Sequence, residues 1–153
     1  MFEGVRKRLG RVSVEKQKNI AVFVDGPNIL RKEFSIDLAE VKKILSKFGK
    51  IKIGRVFLNQ YASNKLVEAV VNQGFESIIT VGDIDVSMAA DAVEAIYNPA
   101  INSIAFVTRD SDFLPAIVKA KRNGKDTIVM LVDEASAASL KNNADHVILL
   151  KKS

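Results

Sequence analysis

Past residue 18 the chain alternates between short apolar runs and longer stretches whose apolar residues recur at helical spacing. The runs are Ile20–Val24, Ile51–Leu58, Phe75–Val81, Ile101–Val107, Thr127–Val132 and His146–Leu150. Near-continuous apolar runs of this length predict strands covered on both faces. Between them, Ser35 or Asp37 is placed to cap a helix running to Phe48, with Gly49 as its stop, and Leu38, Val41, Ile44, Leu45 and Phe48 form its apolar stripe. Ser63 is placed to cap a helix over Lys65–Asn72 with Gly74 behind it. Helices are predicted over Val86–Tyr97, Phe113–Arg122 and, more briefly, Ser136–Asn142. Strict alternation of strand and helix predicts a parallel sheet with helices on both faces, in which sites form beyond the carboxyl ends of the strands.

No repeat or linker interrupts residues 19–150, and 153 residues suit a single domain with a core of its own. The reading is therefore a basic N-terminal arm (1–18), one α/β domain (19–150) and a basic C-terminal end (151–153). The absence of cysteine excludes a disulfide scaffold, a thiolate zinc site and a cysteine nucleophile, and one histidine, His146, excludes a polyhistidine metal centre. His146 opens the last strand and reads as structural. No apolar stretch is long enough to span a bilayer, and the arm lacks the apolar core of a secretory signal, so the expected compartment is the cytoplasm.

The net charge of +5 is unevenly spread. The arm carries +4 through Arg6, Lys7, Arg8, Arg11, Lys16 and Lys18 against Glu3 and Glu15. Lys151 and Lys152 add two more, which leaves −1 for residues 19–150. Within that body, Lys42 to Lys65 holds seven bases and no acid, whereas Glu76 to Asp112 holds seven acids and a single base, Arg109. An acidic pocket beside basic surfaces suits a cation together with a polyanion, although Lys42, Lys43 and Lys47 alone read as a solvated helix face.

The acids fall where the strands end. Asp25 closes the first run in Phe-Val-Asp-Gly-Pro-Asn (23–28). Asp83 and Asp85 follow the third, and Asp110 and Asp112 follow the fourth in Thr-Arg-Asp-Ser-Asp-Phe (108–113). Asp91 lies within the next helix among Ala89, Ala90, Ala92 and Val93, where a carboxylate needs a partner. Converging carboxylates repel unless protonated or met by cations, and hard oxygen donors suit Mg²⁺ or Mn²⁺. Plainer roles compete. Asp25 is also a turn residue before Gly-Pro, Asp83 reads best as a helix cap, and Asp112 as cap, ligand or both, since a cap there puts Pro115 in the donor-free first turn. Asn28 orients a water or Asp25, or closes the turn, and Thr108 offers a hydroxyl at the same edge.

These stretches carry a resemblance. Residues 21–29, 85–92 (Asp-Val-Ser-Met-Ala-Ala-Asp-Ala), 106–115 and 139–145 (Ser-Leu-Lys-Asn-Asn-Ala-Asp) are similar to a NYN domain of the PIN-like nuclease superfamily, nearest its LabA-like branch, over about residues 19–150. The resemblance implies a Rossmann-like (PIN-like) sheet and a metal-dependent ribonuclease leaving a 5′-phosphate and a 3′-hydroxyl. By motif position it implies Asp25, Asp85, Asp91 and Asp110 as acidic ligands, with Asp112 close by and Asn28 as the asparagine after the first aspartate. The sequence departs from the pattern at Gly82-Asp83, where Lys-Gly is usual, and at Arg109, where glycine is usual. Arg109 either replaces the missing positive charge at a phosphate or fills the pocket.

The expectation is a divalent-metal-dependent endoribonuclease acting on single-stranded RNA. Asp25, Asp91, Asp110, Asp112 and Asn28 would form its catalytic set, and Arg109, Arg6, Lys7, Arg8 and Arg11 would contact nucleic acid. The rival from another class is a non-catalytic RNA-binding or scaffold domain of the same fold. Val5, Leu9 and Val12 give the arm one apolar stripe, which offers docking on the body or in a homodimer as the alternative to RNA binding.

Overall fold

The computed structural model describes residues 17–30, 37–109, 113–132 and 137–150. Its strands are β1 (Asn19–Asp25), β2 (Lys50–Asn59), β3 (Glu76–Thr80), β4 (Ser103–Thr108), β5 (Asp126–Leu131) and β6 (His146–Leu149). Its helices are α1 (Gly26–Ile29), α2 (Leu38–Leu45), α3 (Asn64–Asn72), α4 (Ile84–Ile96), α5 (Leu114–Arg122) and α6 (Ala137–Lys141). All six strands are parallel, in the order β3-β2-β1-β4-β5-β6. The predicted α/β class and parallel sheet are borne out.

The sheet separates two cores because successive strand side chains point to opposite faces. Ala21, Phe23, Phe57, Ile104, Phe106, Val129 and Leu131 pack on α4, α5 and α6. Val22, Val24, Val56, Leu58, Ala105, Val107 and Met130 pack under Ile29 of α1, Leu38, Val41 and Leu45 of α2, and Val70 of α3. β1 is buried on both faces from its second residue and β4 throughout, which is why Ile20–Val24 and Ile104–Val107 are unbroken by polar positions. The edge strands β3 and β6 alternate with exposed positions.

Local chemistry fixes the helix starts. Of the two candidate caps for α2, the Asp37 carboxylate accepts from Ala39 N at 2.9 Å, while Ser35 lies outside the described residues. Ser63 Oγ accepts from Leu66 N at 3.1 Å, and Asp83 accepts from Asp85 N at 2.9 Å, which starts α4 two residues earlier than its apolar pattern indicates. α2 ends at Leu45 rather than Phe48, and residues 46–48 form a turn. The glycine after it is required by close approach, since a Cβ on Gly49 would lie 2.3 Å from the Lys18 carbonyl oxygen.

The segment before β6 is stitched to β5. Asp145 accepts from the Thr127 N–H at 2.9 Å and from the Thr127 hydroxyl at 3.0 Å, and Asp145 N donates back to Thr127 Oγ1 at 2.9 Å. Burial works against the Asp145 charge, but the Thr127 bonds outweigh it, with help from Lys121 and His146, and hold the carboxyl below the usual carboxylate range. A lowered folded-state pKa contributes stability above the unfolded value of about 3.9 and loses it as pH falls through the folded value. Asp145→Ala should therefore cost about 1 kcal/mol at neutral pH, or roughly 2–4 °C in melting temperature, and the difference should shrink below about pH 4. Melting curves from pH 3 to 7 check it. His146 packs against Phe48 with the rings tilted at 55° and their centroids 4.8 Å apart, in keeping with its structural reading.

The connection after β1 turns toward the α1–α3 face and the connection after β4 toward α5. The sheet's order reverses between these two strands, so their carboxyl ends part there, the place where open α/β sheets form a crevice.

Candidate active site at the carboxyl edge

Asp25 is the last residue of β1, beside Phe57 of β2, and only 1% of it is exposed. It occupies the N-cap position of α1, yet its side chain makes no capping hydrogen bond. The plain turn reading of Asp-Gly-Pro is thus replaced by a short helix that leaves the carboxylate uninvolved in the cap. Pro27 suits the donor-free start of that helix. Gly26 is dictated by space, since a Cβ there would lie 2.5 Å from both Phe57 O and Leu58 Cδ2. Asp25 shares strand parity with Ala21 and Phe23, so it points to the α4–α5 face.

The β1–β4 register reaches Val24–Val107, and one more step sets Thr108 beside Asp25. Thr108 has the parity of Ile104 and Phe106 and is also 1% exposed. Arg109 follows it, half-buried, at the mouth of the crevice. Every buried side-chain polar atom among the described residues has a hydrogen-bond partner.

Asp85 and Asp91 both lie on α4 but serve different neighbours. They stand six positions apart, which is about 120° around the helix and about 9 Å along it. Asp85 is half-buried in the first turn, at the carboxyl edge. Asp91 lies on the side that carries Ser87, which reaches Thr80 of β3 at 3.4 Å. There Asp91 Oδ2 accepts from Arg55 Nη1 at 3.3 Å, and Arg55 Nε donates to Glu76 at 3.0 Å. Arg55 pairs in register with Phe23, two residues before the level of Asp25, or about 7 Å down the strand. Burial works against the guanidinium's charge, but the Glu76 hydrogen bond and the charges of Glu76, Asp91 and Glu94 outweigh it and raise the Arg55 pKa.

Arg55 is therefore the partner that Asp91 requires inside its apolar helix. Sequence reading counted it only within a basic run. Its signal was a charge directly before the buried Val56–Leu58 stretch of the strand, where a guanidinium drawn partly out of water needs a partner. Repulsion among converging acids alone would make removal of the Asp91 charge stabilising, and the pairing with Arg55 opposes that. Without metal, Asp91→Asn should lower the melting temperature rather than raise it. A double-mutant cycle of Asp91→Asn with Arg55→Gln should return a coupling of about 1 kcal/mol. A higher melting temperature in Asp91→Asn alone would mean that carboxylate repulsion outweighs the pair.

Asp110, Ser111 and Asp112 lie outside the described residues, as do the arm through Lys16 and the side chain of Asn28. The cap of α5 is Phe113, which puts Pro115 at the second helical position and moves the N-cap off Asp112. Among the described residues no three acids or histidines gather closely enough to hold an ion. Asp25, Asp85 and Thr108 nonetheless bring hard oxygen donors to one edge, which is the donor chemistry Mg²⁺ and Mn²⁺ take. The arm enters at Asn19, the opposite end of β1 from Asp25.

The sequence matches the NYN domain over residues 19–151. The chain belongs to the NYN domain family. An uncharacterized protein of Methanocaldococcus jannaschii is 55% identical over 148 residues, a stretch that takes in 97% of this chain and 59% of that protein. Among solved structures, an NAD-binding protein from Listeria innocua is similar with a TM-score of 0.44 and 11% identity, over 88% of this chain and 35% of that one. An oxidoreductase from Thermotoga maritima gives a TM-score of 0.39 and 14% identity, over 87% and 37%. Likeness at that level carries no functional argument. NYN domains are a nuclease-like family. Among the described residues no helix is long and apolar enough to cross a membrane.

Proposed function

We propose that this NYN domain is a divalent-metal-dependent endoribonuclease that hydrolyses phosphodiester bonds of single-stranded RNA in the cytoplasm. The observation that carries the reading is Asp25, a carboxylate buried at the end of β1 in the switch-point crevice. Asp85 at the head of α4 and Asp110, two residues past Thr108, complete the proposed ligand set for Mg²⁺ or Mn²⁺, with Asp112 beside them. Asp91 joins that set only by releasing Arg55. An ion held there supplies positive charge at the phosphodiester and acidifies a water. The chain's own share is to position. Asp25 and Asp110 fix the acidic pole, the Thr108 hydroxyl and Asn28 orient the attacking water, and Arg109 clamps a phosphate oxygen through its fork of donors. Arg6, Lys7, Arg8 and Arg11 add phosphate contacts from the arm.

The engagement of Asp91 by Arg55 favours a second reading, a non-catalytic RNA-binding domain of the same fold. Incubating purified protein with labelled single-stranded RNA in Mn²⁺ and in EDTA separates the two. Cleavage confined to Mn²⁺ supports the nuclease, and binding without cleavage in either supports the rival.

A further inference from the structure

Across the β1–α1 junction from Asp25, the same carboxyl edge holds a cavity of about 440 Å³. Gly26 and Pro27 form one wall, and Leu58, Ala62 and Leu66 form its apolar floor. Tyr61 stands at its rim, 84% exposed, the most exposed of the large apolar side chains among the described residues. Its placement is built. Asn59 ends β2 and its side-chain oxygen accepts from Tyr61 N at 3.0 Å, while Ala62 N donates to Asn59 O at 3.1 Å. Ser63 then starts α3 at once. The ring is thus carried on a hydrogen-bonded turn between two regular elements.

An aromatic ring kept in water costs the fold its burial, and a ring with only two torsions loses little entropy on making a contact. Tyr61 lies four residues past Phe57, the neighbour of Asp25, so its Cα is within about 14 Å of Phe57 and, with one strand spacing added, within about 19 Å of that carboxylate's backbone. A strand whose phosphate sits at the acidic edge reaches this cavity with a base close to the one being cut. Lys65, exposed in the first turn of α3, offers charge to an intervening phosphate. We infer that Tyr61 and the cavity at the end of β2 form a nucleobase subsite, in which a base of the bound strand stacks on the phenol ring. The inference rests on the nucleic-acid reading of the acidic edge and adds the element that grips the strand beside the cut.

The chain lacks tryptophan and has two tyrosines, so Tyr97→Phe leaves Tyr61 as its single tyrosine fluorophore. Tyr97 lies at the C-terminal end of α4, by the opposite edge of the sheet, with Lys119 Nζ 5.6 Å from its ring centre. The test titrates the Tyr97→Phe protein with a short single-stranded oligoadenylate and with an abasic oligomer of equal length, in EDTA and again with Ca²⁺. Tyrosine emission should be quenched by the oligoadenylate and not by the abasic strand. Tyr61→Ala should weaken oligoadenylate binding about tenfold, leave abasic binding unchanged, and be rescued by Tyr61→Phe. Binding and cleavage without quenching, or a Tyr61→Ala protein that binds both oligomers like the parent, would overturn the subsite and leave the nuclease reading standing. A parent protein that neither binds nor cleaves RNA would overturn both.

Discussion

Asp25→Asn should abolish metal-dependent RNA cleavage, by about a thousandfold or more, in a protein that still folds. The substitution keeps the size and most of the hydrogen-bonding capacity of a side chain that is 1% exposed, so the packing around it has little reason to change. What it removes is the negative charge at the carboxyl end of β1. Asp110→Asn should have the same effect. The measurement is the single-turnover cleavage rate of single-stranded RNA in Mn²⁺, with RNA affinity and melting temperature measured alongside. Loss of cleavage with affinity retained assigns the charge to the chemical step. Comparable cleavage in both variants would end the nuclease reading at this edge. Loss of melting cooperativity in Asp25→Asn would move the weight of the test to Asp110→Asn.

The reason Asp25 stood out in the sequence is the reason it is well placed in the fold. A short unbroken apolar run, rich in β-branched residues and closed by Asp-Gly-Pro, reads as a strand covered on both faces, and β1 is buried on both from its second residue. A carboxylate directly after such a run must then lie at the sheet's edge. The same logic found Thr108 at the end of β4. It found less on α4, where periodicity identified a helix but not which side of it Asp91 would serve. That depends on which strands the helix crosses, and the crossing follows from the order β3-β2-β1-β4-β5-β6, which no local pattern encodes. Asp91 faces β2 and β3, and Arg55 meets it there. The short helix α1 was also hidden, because Asp-Gly-Pro signals a turn as strongly as a helix start. Asp83 was legible as a cap, because a cap is defined by residues two apart in the chain.

Metal linkage should separate the two groups of acids. At ~100 times its dissociation constant, a divalent ion that binds only the folded protein stabilises it by about 2.7 kcal/mol, or roughly 5–10 °C in melting temperature for a chain of this size. Wild type should show that gain with Mn²⁺, and Asp25→Asn should lose most of it, because the ion would have one buried carboxylate fewer. The Arg55 pair makes Asp91 the discriminating case. If Asp91 leaves Arg55 to meet the ion, the cost of breaking the 3.3 Å pair weakens the affinity of wild type for the ion. Arg55→Gln should then bind Mn²⁺ more tightly than wild type and melt lower without it. If Asp91 stays on Arg55, Asp91→Asn should keep the full metal-induced gain, and the ion would rest on Asp25, Asp85 and the acids after β4. Calorimetric titration of the three variants with Mn²⁺, read beside their melting temperatures in EDTA, distinguishes these outcomes. Equal metal-induced shifts in wild type and Asp25→Asn would place the ion away from this edge altogether.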